Sequence, residues 1–136
     1  MARFVALVPV LFVLLLGGCT YKHEPIYNVD RPMPPGAERM SSDRIREIII
    51  AAGDKLEWHM TQTGPGHLEA IQNPPKFSAT VDIDYTPARL QIHLKSSVNL
   101  LQTDTTIHAH YNFWIRNLES EIVSSLTAAQ PLVSAR

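Results

Sequence analysis

The chain has 136 residues, enough for one domain. Its 12 Lys and Arg residues nearly balance 13 Asp and Glu residues, giving a formal net charge of −1. This balance provides no electrostatic case for a nucleic-acid binder, so no nucleic-acid partner is expected. Cys19 is the only cysteine, which excludes an internal disulfide, a cysteine-based metal site and a thiol nucleophile further along the chain.

The first 19 residues have the organisation of an export signal. Arg3 precedes an unbroken apolar run over residues 4–16, which is shorter than the roughly 20 residues that span a bilayer and fits a signal peptide over 1–18. Leu16-Gly17-Gly18-Cys19 then resembles the lipobox of bacterial lipoproteins. The resemblance implies cleavage between Gly18 and Cys19, diacylglycerol on the Cys19 thiol, and an acyl chain such as palmitate on its new amino group.

The lipobox sets the expected compartment. Each buried methylene contributes about 0.8 kcal/mol, so two or three acyl chains anchor a protein durably in a membrane. Thr20 follows Cys19, where an aspartate favours inner-membrane retention in enterobacterial-type lipoproteins. By this resemblance the chain is expected on the periplasmic face of the outer membrane, with the inner membrane as the less favoured alternative. The alternative interpretation of residues 1–18 is an ordinary secretory signal or a short membrane helix.

Residues 19–40 are predicted to form a tether between the lipidated cysteine and the domain. They show neither helical nor alternating periodicity, and stretched out they reach roughly 60 Å. Five residues favour an extended spacer: Pro25, Pro32, Pro34, Pro35 and Gly36. The alternative is that the segment packs on a partner or on its own domain through Tyr21, Ile26 and Tyr27.

Helical periodicity appears twice. The first helix is predicted to begin at Ser41 or Ser42, because serine is a good N-cap, and to end at Gly53. The second is predicted to begin at 104–106 and to reach Leu126, followed by a flexible tail over 127–136. The apolar faces are Ile45, Ile48, Ile49 and Ala52 in the first helix, and Ile107, Tyr111, Trp114, Ile115, Leu118, Ile122 and Leu126 in the second.

Between the helices, apolar and polar residues alternate as in half-buried strands. Four strands are predicted, near residues 56–61, 68–71, 77–85 and 90–95. Sequential strands that each bury one face form an antiparallel meander. The sequence therefore predicts an α+β fold over residues 41–126, a two-layer sandwich in the order α-β-β-β-β-α. It has a four-stranded antiparallel meander with two helices on one face and water on the other.

Several stretches of this domain resemble a family of small proteobacterial lipoproteins. They are the Gly64-Pro65-Gly66 turn, Ile83-Asp84-Tyr85, Lys95-Ser96-Ser97-Val98-Asn99-Leu100, and Ile107-His108-Ala109-His110-Tyr111-Asn112-Phe113-Trp114-Ile115. The likeness covers residues 41–126. It implies an exported, lipid-anchored protein with this fold, and it implies no activity, since none is assigned to the family.

Two predicted strands place a carboxylate beside an imidazole. If Tyr85 lies opposite Leu90 in a hairpin, Asp82 lies opposite His93 on the solvated face. The same register puts Thr80 opposite Lys95. Such a pair can begin an acid–base or metal site, and it is also an ordinary cross-strand surface pair. The surface pair is favoured, so no metal ligand is assigned.

Near the start of the second helix a polar network is predicted to pin the loop over 97–104. Its members are Asn99, His108, Tyr111 and Asn112, and the alternative is that they recognise a ligand. His108 and His110 lie about 200° apart on a helix, so they can chelate one ion only if that stretch is extended. Trp58 and Trp114 fall on core faces, whereas a carbohydrate-stacking role requires exposure.

These observations predict a non-enzymatic module that is anchored to the membrane and binds a protein of an envelope assembly. No catalytic residue, cofactor or metal is assigned. One alternative is a small hydrolase or metal-handling protein that uses Asp82 and His93. Another is a binder of peptidoglycan or lipid.

Overall fold

The computed structural model describes residues 23–130. The signal peptide, Cys19, Tyr21 and residues 131–136 lie outside the described residues. The elements are β1 (His23–Pro25), β2 (Val29–Pro32), a 3-10 turn (Ala37–Arg39), α1 (Ser42–Lys55), β3 (His59–Gly64), β4 (His67–Gln72), β5 (Ser78–Tyr85), β6 (Arg89–Val98), β7 (Thr106–His108) and α2 (Ala109–Ala128). The predicted α+β class with two helices is confirmed.

The main sheet is antiparallel and has five strands in the order β2-β6-β5-β4-β3. Strands β3 to β6 form the predicted meander, and β2 adds a fifth strand beside β6. A separate two-stranded sheet pairs β1 with β7. The four-stranded prediction is therefore wrong in detail, because two strands come from the predicted tether and one from the predicted start of the second helix.

Alternation along β5 gives the sheet one apolar face. Every second residue of this strand is buried, and the intervening residues are partly exposed. The helices α1 and α2 contact each other, and their apolar residues join the inward-facing residues of the sheet in one hydrophobic core. Burial of the apolar face follows from the period of two in the sequence.

Helix α1 begins as predicted, with the Ser41 side chain accepting a hydrogen bond from the Arg44 N–H. It does not end at Gly53 but continues to Lys55. Gly53 is buried within the helix, and a Cβ built on it would lie 2.3 Å from Met60 Cε. The glycine therefore allows β3 to approach the helix closely rather than ending it.

Glu57 takes the left-handed backbone conformation that ends α1, with φ at 63°. The N–H of Glu57 donates to Asp54 O at 3.1 Å, and the N–H of Trp58 donates to Gly53 O at 3.0 Å. These two bonds form a Schellman motif, in which glycine is the usual residue at this position.

Replacing Glu57 with glycine is expected to stabilise the domain by about 1 kcal/mol, because glycine adopts a positive φ without steric cost. Chemical denaturation measures the change in the free energy of unfolding. The matched control is Glu57→Ala, which keeps the strain and should change stability little. A stabilisation by alanine equal to that by glycine would contradict this account.

The second helix begins at Ala109, later than the sequence predicts, and continues to Ala128, past the predicted start of the tail. Thr106–His108 is extended because it pairs with β1, with Ile107 opposite Glu24. This pairing joins residues more than eighty positions apart, and local periodicity contains no information about it.

The predicted tether is wrong for residues 23–40, which belong to the folded domain. Val29, Met33 and Ala37 are at most 8% exposed, and Ile26 and Tyr27 pack against the core. The alternative of packing through Ile26 and Tyr27 is therefore the correct one. The prolines are compatible with this packing, because Pro25 and Pro32 lie in strands, where the backbone is extended in any case. We call residues 23–33 the N-terminal strap.

Candidate functional site

The outward side of the sheet carries charged side chains along four strands. Asp30 lies on β2; Glu69 and His67 lie on β4; Asp82 and Asp84 lie on β5; and Arg89, His93 and Lys95 lie on β6. We call these eight residues the polar face. The strand register sets their neighbours, because outward-pointing residues on adjacent strands stand side by side.

The register between β5 and β6 is the predicted one over part of its length. Tyr85 lies opposite Leu90, and Asp82 lies opposite His93. A bulge between Thr80 and Val81 then shifts the pairing, so that Thr80 faces Ser96 rather than Lys95. The predicted Thr80–Lys95 pairing is therefore wrong, since a bulge adds a residue to one strand only.

Asp82 and His93 are neighbours, but no hydrogen bond joins them among residues 23–130. The Asp82 carboxylate instead lies 3.6 Å from Lys95 Nζ. The same Nζ donates to Glu69 Oε2 at 2.6 Å. Both carboxylates raise the pKa of Lys95, with the Glu69 hydrogen bond as the largest cause.

A second carboxylate–imidazole pair lies on the same face. His67 Nδ1 is hydrogen-bonded to the Asp84 carboxylate, and the two residues face each other across β4 and β5. Their side chains are 59% and 35% exposed. The sequence contained no signal for this pair, because the partner of His67 depends on the register between β4 and β5.

The remaining carboxylate of the polar face is also paired. Arg89 Nε donates to Asp30 Oδ1 at 2.6 Å, and this bond holds the pKa of Asp30 below its usual value. Each of the four carboxylates therefore has a cationic or imidazole partner. The polar face is a solvent-exposed array of carboxylates paired with cationic or imidazole side chains, which suits reversible contact with another polar surface.

The predicted network around the loop 97–104 is divided in the structure. Asn99 Nδ2 donates to Lys76 O at 3.0 Å. His108 caps α2 by accepting a bond from the His110 N–H at 3.1 Å. Tyr111 is buried, its hydroxyl has no hydrogen-bond partner among the described residues, and burial raises its pKa. The prediction of one network is wrong, because Asn99 bonds to the segment before β5, His108 serves as the N-cap of α2, and Tyr111 is buried in the core.

Asn112 holds the N-terminal strap instead of the loop. It is 2% exposed, and its Oδ1 accepts a bond from the Tyr27 N–H at 2.9 Å. Its Nδ2 donates to Glu24 Oε2 at 3.0 Å and to Pro25 O at 2.9 Å. One side-chain amide thus satisfies two backbone groups and a carboxylate of the strap.

Further contacts along α2 fix the strap. The Tyr27 hydroxyl donates to Glu119 Oε2 at 2.6 Å, and Arg31 Nη1 donates to Glu119 Oε1 at 3.0 Å. The guanidinium of Arg116 lies over the Tyr27 ring, 4.2 Å from its centroid. The hydrogen bond to Glu119 raises the pKa of Tyr27, with burial as the second cause.

The two tryptophans are buried as predicted. Trp58 is 1% exposed and Trp114 is 8% exposed. A tryptophan that stacks on a saccharide needs an open ring face. Neither indole therefore has the exposed ring face that stacking on a saccharide requires.

Residues 23–130 were also compared with the requirements of a metal site and of a membrane-spanning helix. In that range no three His, Cys, Asp or Glu side chains lie close enough together to hold a metal ion. Over the same residues, no helix has the length and hydrophobicity needed to cross a membrane. Comparison of the chain with models of protein families, with characterised proteins and with solved structures gave no match.

Proposed function

We propose that this chain is a lipoprotein anchored through acylated Cys19 to the periplasmic face of the outer membrane. The observation that carries the proposal is Leu16-Gly17-Gly18-Cys19 directly after the apolar run over residues 4–16. The folded domain supports it, since β1 begins at His23, four residues after the cysteine. A lipid on Cys19 would therefore be joined to a folded domain through a short segment of the chain.

The domain acts as a non-enzymatic binding module of an envelope assembly. Support comes from the polar face, where paired charges such as Asp30–Arg89 and Glu69–Lys95 are fixed on a rigid sheet. Rows of opposite charge favour a protein partner with a complementary pattern, because charge complementarity gives specificity and faster association. The partner is a protein of the same compartment.

Replacing Cys19 with serine is expected to leave a full-length precursor that retains residues 1–18 and carries no lipid. The physical reason is that a hydroxyl cannot replace the thiol that forms the thioether. Electrophoretic mobility and membrane fractionation measure the result. Thr20→Ser is the matched control and should be processed normally. Mature-length protein in the membrane fraction of the Cys19→Ser strain would contradict the proposal.

A second variant, expressed in the same host, tests whether the lipoprotein is sorted to the outer or the inner membrane. Thr20→Asp introduces the residue that favours retention, so the lipoprotein should move from outer-membrane to inner-membrane fractions on a density gradient. An unchanged distribution would overturn the proposed sorting while leaving lipidation intact.

A further inference from the structure

Exposed apolar side chains gather at one end of the domain. Phe113 is 59% exposed, Leu101 46% and Phe77 38%. We call these three residues, together with His110, which lies beside Phe77 and Phe113, the aromatic end. Val98 is 58% exposed and is the last residue of β6, directly before the loop that contains Leu101. Ile71, one residue before the end of β4, is 37% exposed.

Short contacts assemble the aromatic end from three separate segments. The His110 ring centroid lies 6.0 Å from that of Phe77 and 6.3 Å from that of Phe113. The His108 N–H donates to Leu100 O at 2.8 Å, which holds the loop before β7 against the start of α2. The patch is therefore a fixed surface rather than three unrelated side chains.

Leu101 lies in the loop between β6 and β7. Leu101 has a φ of 53°, a conformation that L residues rarely adopt. Its neighbour Leu100 is only 1% exposed. The loop thus buries one leucine and presents the next one to the surroundings at the aromatic end.

The chain enters the domain at this same end. In the β1–β7 ladder, His23 lies opposite His108, two residues before His110. Three residues separate Cys19 from His23, and the four peptide units between these two Cα atoms span at most about 14 Å. An acyl anchor on Cys19 would therefore keep the entry point of the domain, and the aromatic end beside it, close to the bilayer surface.

We propose that the aromatic end lies in the interfacial region of the lipid bilayer that holds the anchor, with Phe77, Leu101 and Phe113 inserted among the headgroups. This inference rests on the proposed lipidation of Cys19. Aromatic and aliphatic side chains at that depth bury apolar surface, and an adjacent cation such as Lys76 meets anionic lipid. The polar face then runs away from the membrane and remains free for a protein partner.

A lipid surface fits this patch better than a protein interface. Stable protein interfaces bury roughly 800 Å² on each partner and use about 20–30 residues a side. Three exposed side chains with one histidine are far fewer than that. The nearness of the anchor gives the membrane a high effective concentration, so a small patch is sufficient to orient the domain.

The test uses the lipidated full-length protein in vesicles of phosphatidylethanolamine and phosphatidylglycerol. Phe113→Cys and the control Ser124→Cys each introduce one thiol for a nitrobenzoxadiazole label. The two positions are exposed on the same side of α2, because 11 residues correspond to about 1100° of helical rotation. They are separated by about 16 Å along the helix axis.

The label at position 113 should emit several-fold more brightly in vesicles than in water, and lipids brominated near the headgroup should quench it. The label at position 124 should show neither effect. Equal, water-like emission at both positions in vesicle-bound protein overturns the inference and favours a protein partner. An effect that grows with the protein-to-lipid ratio favours a second copy and also overturns it. If Cys19 itself takes up label, the thiol is free and the proposed lipidation has failed.

Discussion

Replacing Asn112 with alanine is expected to lower the free energy of unfolding by about 3 kcal/mol. The change removes three hydrogen bonds, to Tyr27 N, Pro25 O and Glu24 Oε2. It leaves two partly buried backbone groups without a partner, and each such group costs about 1–3 kcal/mol. The better helix propensity of alanine offsets only about half a kcal/mol.

Asn117→Ala is the matched control for this variant. Asn117 lies on the same helix but is exposed, so its replacement should change stability within about 0.5 kcal/mol. Chemical denaturation measures both variants, and amide hydrogen exchange reports the strap separately. Equal stability of the two variants, with the Tyr27 amide still protected in the Asn112 variant, would show that the strap is held by other contacts.

Replacing Trp58 with alanine is expected to cost about 3–5 kcal/mol, the usual range for a large aromatic residue removed from a core. Trp58 is 1% exposed, and its N–H belongs to the Schellman motif that ends α1. Its removal leaves a cavity between α1 and the sheet. Thermal or chemical denaturation measures the loss.

Phe113→Ala is the control for the tryptophan prediction. Phe113 is 59% exposed, so its loss should change stability by less than about 0.5 kcal/mol while altering the membrane contact proposed above. A small effect of Trp58→Ala together with reduced retention on purified peptidoglycan would instead support a saccharide-binding role for that indole.

The alternating pattern was sufficient to predict four of the five strands of the main sheet. In β5 every second residue from Ala79 to Tyr85 is at most 3% exposed, because a strand buried on one face alternates at a period of two. The helical spacing of the apolar residues also predicted the buried face of α2, from Tyr111 to Leu126. These features are local, so the sequence contains them directly.

The N-terminal strap could not be predicted in the same way. Its stability depends on β6, β7 and Asn112, which lie about sixty to ninety residues further along the chain. Prolines in a segment favour an extended backbone, and an extended backbone is compatible with both a free tether and an edge strand. Only the tertiary partners distinguish the two.

In the candidate site, too, some features follow from the local sequence and others depend on tertiary packing. The pairing of Asp82 with His93 follows from the hairpin register, and the sequence predicted it. The ion pair of Asp82 with Lys95 depends on the bulge at Thr80. The His67–Asp84 pair depends on the register of β4 with β5. Bulges and strand registers are set by the packing of the whole sheet. A local sequence pattern therefore cannot predict the side-chain pairs that depend on them.

The corrected start of the domain changes the role expected of the anchor. A tether over residues 19–40 would hold the domain roughly 60 Å from the membrane. With β1 beginning at His23, the separation from Cys19 falls to at most about 14 Å. The proposed lipid would therefore hold the domain at the membrane surface, where the aromatic end can orient it.

The most direct test of the central proposal is the mass of the N-terminal tryptic peptide from membrane-purified protein. Cleavage after Lys22 releases Cys19-Thr20-Tyr21-Lys22. We expect this peptide to begin at Cys19 and to carry diacylglycerol on its thiol and an acyl chain on its amino group. A peptide that extends back into residues 1–18, or one that begins at Cys19 with a free thiol, would contradict the account.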